Sequence, residues 1–114
     1  MYARVTTFQI DPLLIDPDQA LERFKAVVLP ELHKQPGFRG ILVLETPEAA
    51  GMLVSLWESE ADAQKGLETG YYDEQIAQFV MFMKQPPGRD HYEVVYSEGD
   101  IASGSTPVSG DSNG

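Results

Sequence analysis

Residues 36–63 constrain this chain more than any other stretch. Pro36-Gly37-Phe38-Arg39-Gly40 is a turn, two apolar runs follow, and Leu56-Trp57-Glu58-Ser59-Glu60-Ala61-Asp62-Ala63 closes the block. Phe38 to Glu45 and Gly51 to Trp57 read as strands, and residues 46–50 are few enough to join them as an antiparallel hairpin. Ser59 is placed to cap the next helix, with Asp62 three residues on as the acidic half of a capping box. Trp57 stands where the sheet hands over to that helix. Residues at such junctions often line the space between sheet and helices.

The rest of the chain falls into place around the hairpin. Tyr2 to Gln9 is β-branched and aromatic and reads as the first strand. Asp16-Pro17-Asp18-Gln19 is a helix start: Asp16 as N-cap, Pro17 at the first helical position, Gln19 as capping-box partner. Leu21, Phe24, Val28 and Leu32 then form a stripe on one helix face. Pro30 removes a backbone donor inside this helix and predicts a kink or break there. A second helix runs from Ser59 to about Thr69, is interrupted at Gly70 and restarts at Tyr71. Its stripe continues through Ile76, Phe79, Val80 and Met83. Asp90 to Tyr96 alternates as a fourth strand. Residues 98–114 are Gly, Ser, Asp and Asn with little apolar content, a composition that cannot offset its ordering entropy and predicts a flexible tail.

The order βαββαβ over residues 1–97 predicts one α+β domain, the ferredoxin-like split unit with an antiparallel four-stranded sheet and two helices on one face. Two helices cover only one face, yet the strands carry apolar residues at both parities. Met52, Val54 and Leu56 oppose Leu53 and Trp57, and Tyr92, Val94 and Tyr96 oppose Val95. An open apolar face of several hundred Å² is unusual on a soluble monomer. A second copy packed sheet to sheet would cover it, so the expected state is a homodimer.

Composition removes whole classes of function. The net charge is −10, with 8 basic residues among 18 acidic ones. Nucleic-acid binding needs clustered Lys and Arg, and an anionic membrane surface would repel this chain. No cysteine is present, which excludes disulfides, thiol catalysis and thiolate metal sites. Met1 to Val5 has no apolar stretch of signal-peptide length, and no apolar run is long enough to span a bilayer. The expected compartment is the cytoplasm.

Several residues have both a chemical and a structural reading. Trp57 offers a flat apolar surface and one N–H donor to a ligand, or is an ordinary core or interface aromatic. Tyr71 and Tyr72 follow the helix interruption at Gly70, a kind of irregularity found at functional sites, or are half-exposed filler. Arg39 can pair with an anionic or phenolate ligand, or neutralise a surface carboxylate. His33 sits near a helix C-terminus, where a cation is favoured. Neither His33 nor His91 has a partner at ligand spacing, so no metal site is expected. Glu58, Glu60 and Asp62 read as capping and solvation. Phosphate-binding glycine loops and a Gly-x-Ser-x-Gly elbow are absent.

Three pieces carry a family resemblance: Gln35-Pro36-Gly37-Phe38-Arg39-Gly40, Leu56-Trp57-Glu58-Ser59 with the helix after it, and Leu67-Glu68-Thr69-Gly70-Tyr71. With them, residues 2–97 resemble the antibiotic biosynthesis monooxygenase-like group of dimeric α/β-barrel proteins. The resemblance implies two ferredoxin-like chains joined into a barrel, each with a cavity between sheet and helices. It implies oxidation of a polycyclic phenol or quinol by molecular oxygen with no cofactor. The cavity would lie near Trp57, Tyr71 and Tyr72, with Phe24 and Phe79 as walls. Tyr71 or Tyr72 would orient the substrate hydroxyl, Trp57 would stack or donate, and Arg39 would stabilise an anion. The chain also departs from the family. Tyr71 and Arg39 stand where quinol-type relatives tend to carry histidine, and Thr7 stands where the haem-degrading branch carries asparagine on the first strand. No histidine lies near Ile76 to bind haem iron. A non-catalytic barrel that binds a small metabolite or serves as an interaction domain is the alternative.

Overall fold

The structure is a computed structural model that describes residues 1–99; from residue 100 onward the expected tail lies outside the described residues. Strand β1 (Tyr2–Gln9) leads to α1 (Pro17–Arg23), which passes through a π-helical turn (Phe24–Val28) into α2 (Leu29–Leu32). The hairpin β2 (Phe38–Glu45) and β3 (Ala50–Trp57) follows, then α3 (Glu60–Glu68), α4 (Tyr71–Val80) and β4 (Gly88–Glu93). All strand pairs are antiparallel, in the order β2-β3-β1-β4. This is the ferredoxin-like α+β arrangement.

Local chemistry explains most boundaries. Asp16 caps α1 by accepting from the Asp18 N–H at 3.4 Å, with Pro17 at the first helical position. Gln19 is exposed and has no part in that cap. Ser59 accepts from the Asp62 N–H at 3.2 Å and donates to its carboxylate at 3.1 Å. Gly70 separates α3 from α4 at φ 83, a left-handed conformation that glycine adopts without penalty. Gly37 is left-handed too (φ 78), and a Cβ there would meet the Asp62 side chain at 2.2 Å. The turn into β2 is thus packed directly against the cap of α3, and the Glu58 N–H donates to the Gly37 carbonyl at 2.8 Å.

Pro30 neither breaks nor stops its helix. The turn before it widens, and the Leu29 N–H reaches back five residues to the Phe24 carbonyl. The wide turn also keeps the buried stripe in line. Ala20, Phe24, Val28 and Leu32 are buried at four-residue intervals. In an α-helix that spacing drifts about 40° per step, and one i→i+5 turn steps back.

Two expectations shift. β4 forms at Gly88–Glu93 rather than at Asp90 to Tyr96, because β1 sets its ladder, from Thr7↔Gly88 to Tyr2↔Glu93. Val95 and Tyr96 stand exposed beyond it. Helix α4 ends at Val80, which is exposed; Met83 lies past the helix, bridged to Ile10.

Register sorts the two faces of the sheet. Tyr2, Arg4, Thr6 and Phe8 share a face with Leu53, Ser55 and Trp57, and the helices cover that side. Phe24, Val28, Leu32, Trp57, Ala63 and Phe79 form the core there. The other face carries Leu42, Leu44, Met52, Val54 and Tyr92. Leu42, Leu44 and Tyr92 are exposed.

Two substitutions test the packed turn. Ser59→Ala should cost about 1 kcal/mol by removing the cap. Gly37→Ala should cost more, since it adds a side chain both in a left-handed conformation and against Asp62. Thermal melts of the two variants check the order. Equal losses would mean that the Gly37–Asp62 contact carries no strain.

Candidate active site

Between the helices and the covered face of the sheet runs a cleft of two joined chambers. Thr6, Phe24, Leu53 and Ile76 line both. The outer one adds Phe8, Leu21, Val43, Phe79 and Met83 and is mostly apolar, with Glu45 as its one carboxylate. The inner one adds Arg4, Ser55, Tyr71, Tyr72 and Gln75. Both chambers open to solvent, and their cavity volumes are about 70 and 50 Å³.

Arg4 is the unexpected element of the inner chamber. Alternation on β1 turns it toward the helices, where it is 3% exposed. Its Nη1 donates to the Ala63 carbonyl at 3.0 Å. Its guanidinium carbon lies 5.0 Å from the Trp57 ring centre and 4.7 Å from that of Tyr72. Among the described residues no carboxylate lies within ion-pair distance of it. Burial lowers its pKa, the Tyr72 and Tyr71 hydroxyls pull the other way, and the Arg89 charge lowers it further.

The two tyrosines enter from the first turn of α4. The Tyr72 hydroxyl shares a 2.6 Å hydrogen bond with Thr6 Oγ1, and its ring also meets the Arg89 guanidinium at 5.2 Å. Tyr71 is different: its hydroxyl is buried and has no hydrogen-bond partner. Burial first, and the Glu31 charge second, push its pKa up to about 12, while Arg4 pulls the other way. Tyr71 is therefore a proton donor to hydrogen bonds and not a base near neutrality.

Four of the residues expected at a site come together here: Phe24, Tyr71, Tyr72 and Phe79. Trp57 and Arg39 do not line either chamber. Trp57 is 1% exposed, and its Nε1–H donates to Ser55 Oγ at 2.9 Å. Its ring sits edge-on to Phe38 and behind Arg4. Arg39 is the extra residue of a β-bulge at the entry to β2 and forms an ion pair with Glu58. Thr7 faces away from the cleft and accepts from the Gly88 N–H at 3.2 Å, so Thr6 is the threonine that meets α4. His91 lies opposite Arg4 on β4 with a buried, unpartnered Nε2. Burial, together with Arg4 and Arg89, lowers its pKa and keeps it neutral.

Among the described residues no group of three or more His, Asp or Glu side chains is placed to hold a metal ion. No described helix is long and apolar enough to cross a membrane.

No protein-family model matches the chain, and no curated protein matches it by sequence. Solved structures do match over most of its length. The monooxygenase from the ActVA-Orf6 gene of Streptomyces coelicolor, solved with the ligand nanaomycin D, is 17% identical. It gives a TM-score of 0.69 with 85% of this chain and 89% of that one covered. SnoaB, a cofactor-independent oxygenase from Streptomyces nogalater, is 12% identical with a TM-score of 0.68, covering 84% of this chain and 94% of that one. An antibiotic biosynthesis monooxygenase of 11% identity gives 0.65, covering 84% of this chain and all (100%) of that one. At such identities the likeness is one of fold, and the chain has the ferredoxin-like α+β fold of the antibiotic biosynthesis monooxygenases.

Proposed function

We propose that this protein is a cofactor-independent monooxygenase that oxidises a polycyclic phenol or quinol in the cleft, working as a homodimer. The observation that carries the reading is the buried, unpartnered Tyr71 hydroxyl in an inner chamber lined also by Arg4, Ser55, Tyr72 and Gln75 and joined to a mostly apolar outer one. A planar aromatic would lie among Phe24, Leu53, Ile76 and Phe79, with its oxygen toward Tyr71. Two proteins of the same fold, one a cofactor-independent oxygenase and one solved with nanaomycin D, support the same reading.

The chemistry draws its electrons from the substrate. A ring CH₂ activated by an ionised phenol gives up two hydrogens and becomes C=O. One atom of O₂ enters the product and the other leaves as water with those two hydrogens. The protein's part is to orient the ring, donate to its oxygen through Tyr71, and keep bulk water from the anion. Thr6 holds Tyr72 in place beside that oxygen. Trp57 acts from behind, as support, because its N–H is already engaged by Ser55.

One observation favours the non-catalytic reading, a barrel that only binds a metabolite. None of the residues lining the inner chamber is a carboxylate or a histidine, so the chamber offers a substrate no ordinary base.

The dimer reading rests on the open sheet face, where Leu42, Leu44 and Tyr92 are exposed beside half-buried Met52 and Val54. A second copy seated on this face would bury them all.

Oxygen uptake decides between catalysis and binding alone. With a panel of hydroxylated anthrones, and chelator present, the protein should consume one O₂ and release no hydrogen peroxide per quinone formed. Binding of the panel without uptake would leave the metabolite-binding reading. Tyr71→Phe should lower kcat/KM about tenfold to hundredfold, the loss of about 1.5–3 kcal/mol for a hydrogen bond to a charged oxygen. That loss should be equal at about pH 6 and about pH 9, since Tyr71 titrates near 12. Sedimentation should give a dimer for the wild-type chain and a monomer for Leu42→Asp; a wild-type monomer would overturn the dimer.

A further inference from the structure

We propose that Arg4 is an anion-binding residue, and that its guanidinium and the Tyr71 hydroxyl together form a pocket for the ionised oxygen of a phenol. The phenolate is the ligand class; the proposal deepens the oxygenase reading and shares with it only the identity of the substrate.

Three observations converge. First, Arg4 is almost wholly buried, and no described carboxylate neutralises it. A charge held out of water costs several kcal/mol unless something compensates it. The Ala63 carbonyl satisfies one of five N–H donors, and the Trp57 and Tyr72 rings supply cation–π attraction. Neither supplies the negative charge that a guanidinium normally finds.

Second, the chamber holds a second unused donor. The Tyr71 hydroxyl is buried without a partner. The Tyr71 ring and the Arg4 guanidinium flank Gly66: both lie within 4.0 Å of where a Cβ on residue 66 would stand. Two donors in one chamber, with Phe24, Val28, Leu53 and Ile76 among its apolar walls, suit a planar group with one charged edge.

Third, the charges facing Arg4 from the elements around it are of its own sign or neutral. From β4 come Arg89, which shares the Tyr72 ring, and a neutral His91. From α4 come Tyr71 and Tyr72. Of the acids around this group, Glu31 acts on Tyr71, and Asp90 and Glu60 act on His91; none acts on Arg4. In a chain of net charge −10, the inner chamber is a small positive region. Such a field acidifies a bound phenol. It thereby supplies what a missing base would otherwise have to do: the substrate's proton leaves to water and the anion stays on Arg4.

The test uses the whole chain and 4-nitrophenol, whose phenolate absorbs in the visible, titrated across its ionisation range. In the wild-type protein the midpoint of the bound probe should fall by about one pH unit or more, equivalent to about tenfold tighter binding of phenolate than of phenol. Arg4→Lys should keep part of the shift. A folded Arg4→Met should abolish it, and Tyr71→Phe should reduce it. An unshifted or raised midpoint in the wild type would overturn the proposal, as would absence of binding at millimolar probe. So would an equal shift in folded Arg4→Met. If Arg4→Met fails to fold, the wild-type midpoint and Arg4→Lys decide. Oxygen uptake is read separately: a shifted probe without uptake leaves the anion site and removes the oxygenase, whereas uptake with an unshifted probe does the reverse.

Discussion

A single guanidinium ties the layers of this protein together. Arg4 stands on the central strand β1, donates to the backbone of α3, and lies against the Trp57 ring of β3 and the Tyr72 ring of α4. Removing that charge from water is costly, so each partner is constrained. Residue 57 has to be aromatic, α3 has to present an open carbonyl at Ala63, and small residues have to let the helix come close. Ala63 and Gly66, both buried, meet that last need. The start of α4 must then deliver Tyr72 rather than another residue. The left-handed Gly70, which lets the chain turn out of α3, sets where that first turn begins.

The cleft follows from the same arrangement. Helices α1 and α4 cover the sheet without filling the space over Thr6 and Leu53, so Phe24 and Phe79 serve both as core and as wall. Core residues in this position make a rigid slot, and rigidity is what an orienting site requires. Among the described residues, no helix covers the opposite face of the sheet, where Leu42, Leu44 and Tyr92 are exposed. One sheet thus presents two apolar surfaces, one lining the cleft and the other the face on which the proposed second copy would sit.

The legible parts of the sequence were those ruled by short-range chemistry. β1 and β2 were readable from composition, and Asp16 and Ser59 from their places before helical stripes. Facing was legible only where a strand alternates. On β1, Tyr2-Ala3-Arg4-Val5-Thr6-Thr7 does not alternate cleanly, so neither the burial of Arg4 nor the choice of Thr6 over Thr7 could be seen. Both depend on register with β3, which puts Arg4 opposite Ser55 and Thr6 opposite Leu53. A signal was present: an arginine two residues from Tyr2 and two from Thr6, in phase with Phe8. The end of β4 is not legible for the same reason, because a partner's ladder and not its own pattern sets it. Trp57 was visible as important; its hydrogen bond to Ser55, which takes its donor away from any ligand, was not.

The wide turn at Phe24–Val28 has a consequence for how this chain tolerates change in length. An i→i+5 turn is one residue more than a helix needs. Loss of a residue among Lys25, Ala26 and Val27 would leave a continuous α-helix, with Phe24 undisturbed. Val28 and Leu32 would then follow Phe24 by three and seven residues, the spacing that keeps one face of a straight α-helix on the core. The buried stripe and the wall of the chamber would keep their facing, and what such a deletion removes is the wide turn ahead of Pro30. In this stretch the chain absorbs the loss of a residue that would turn a straight helix out of register.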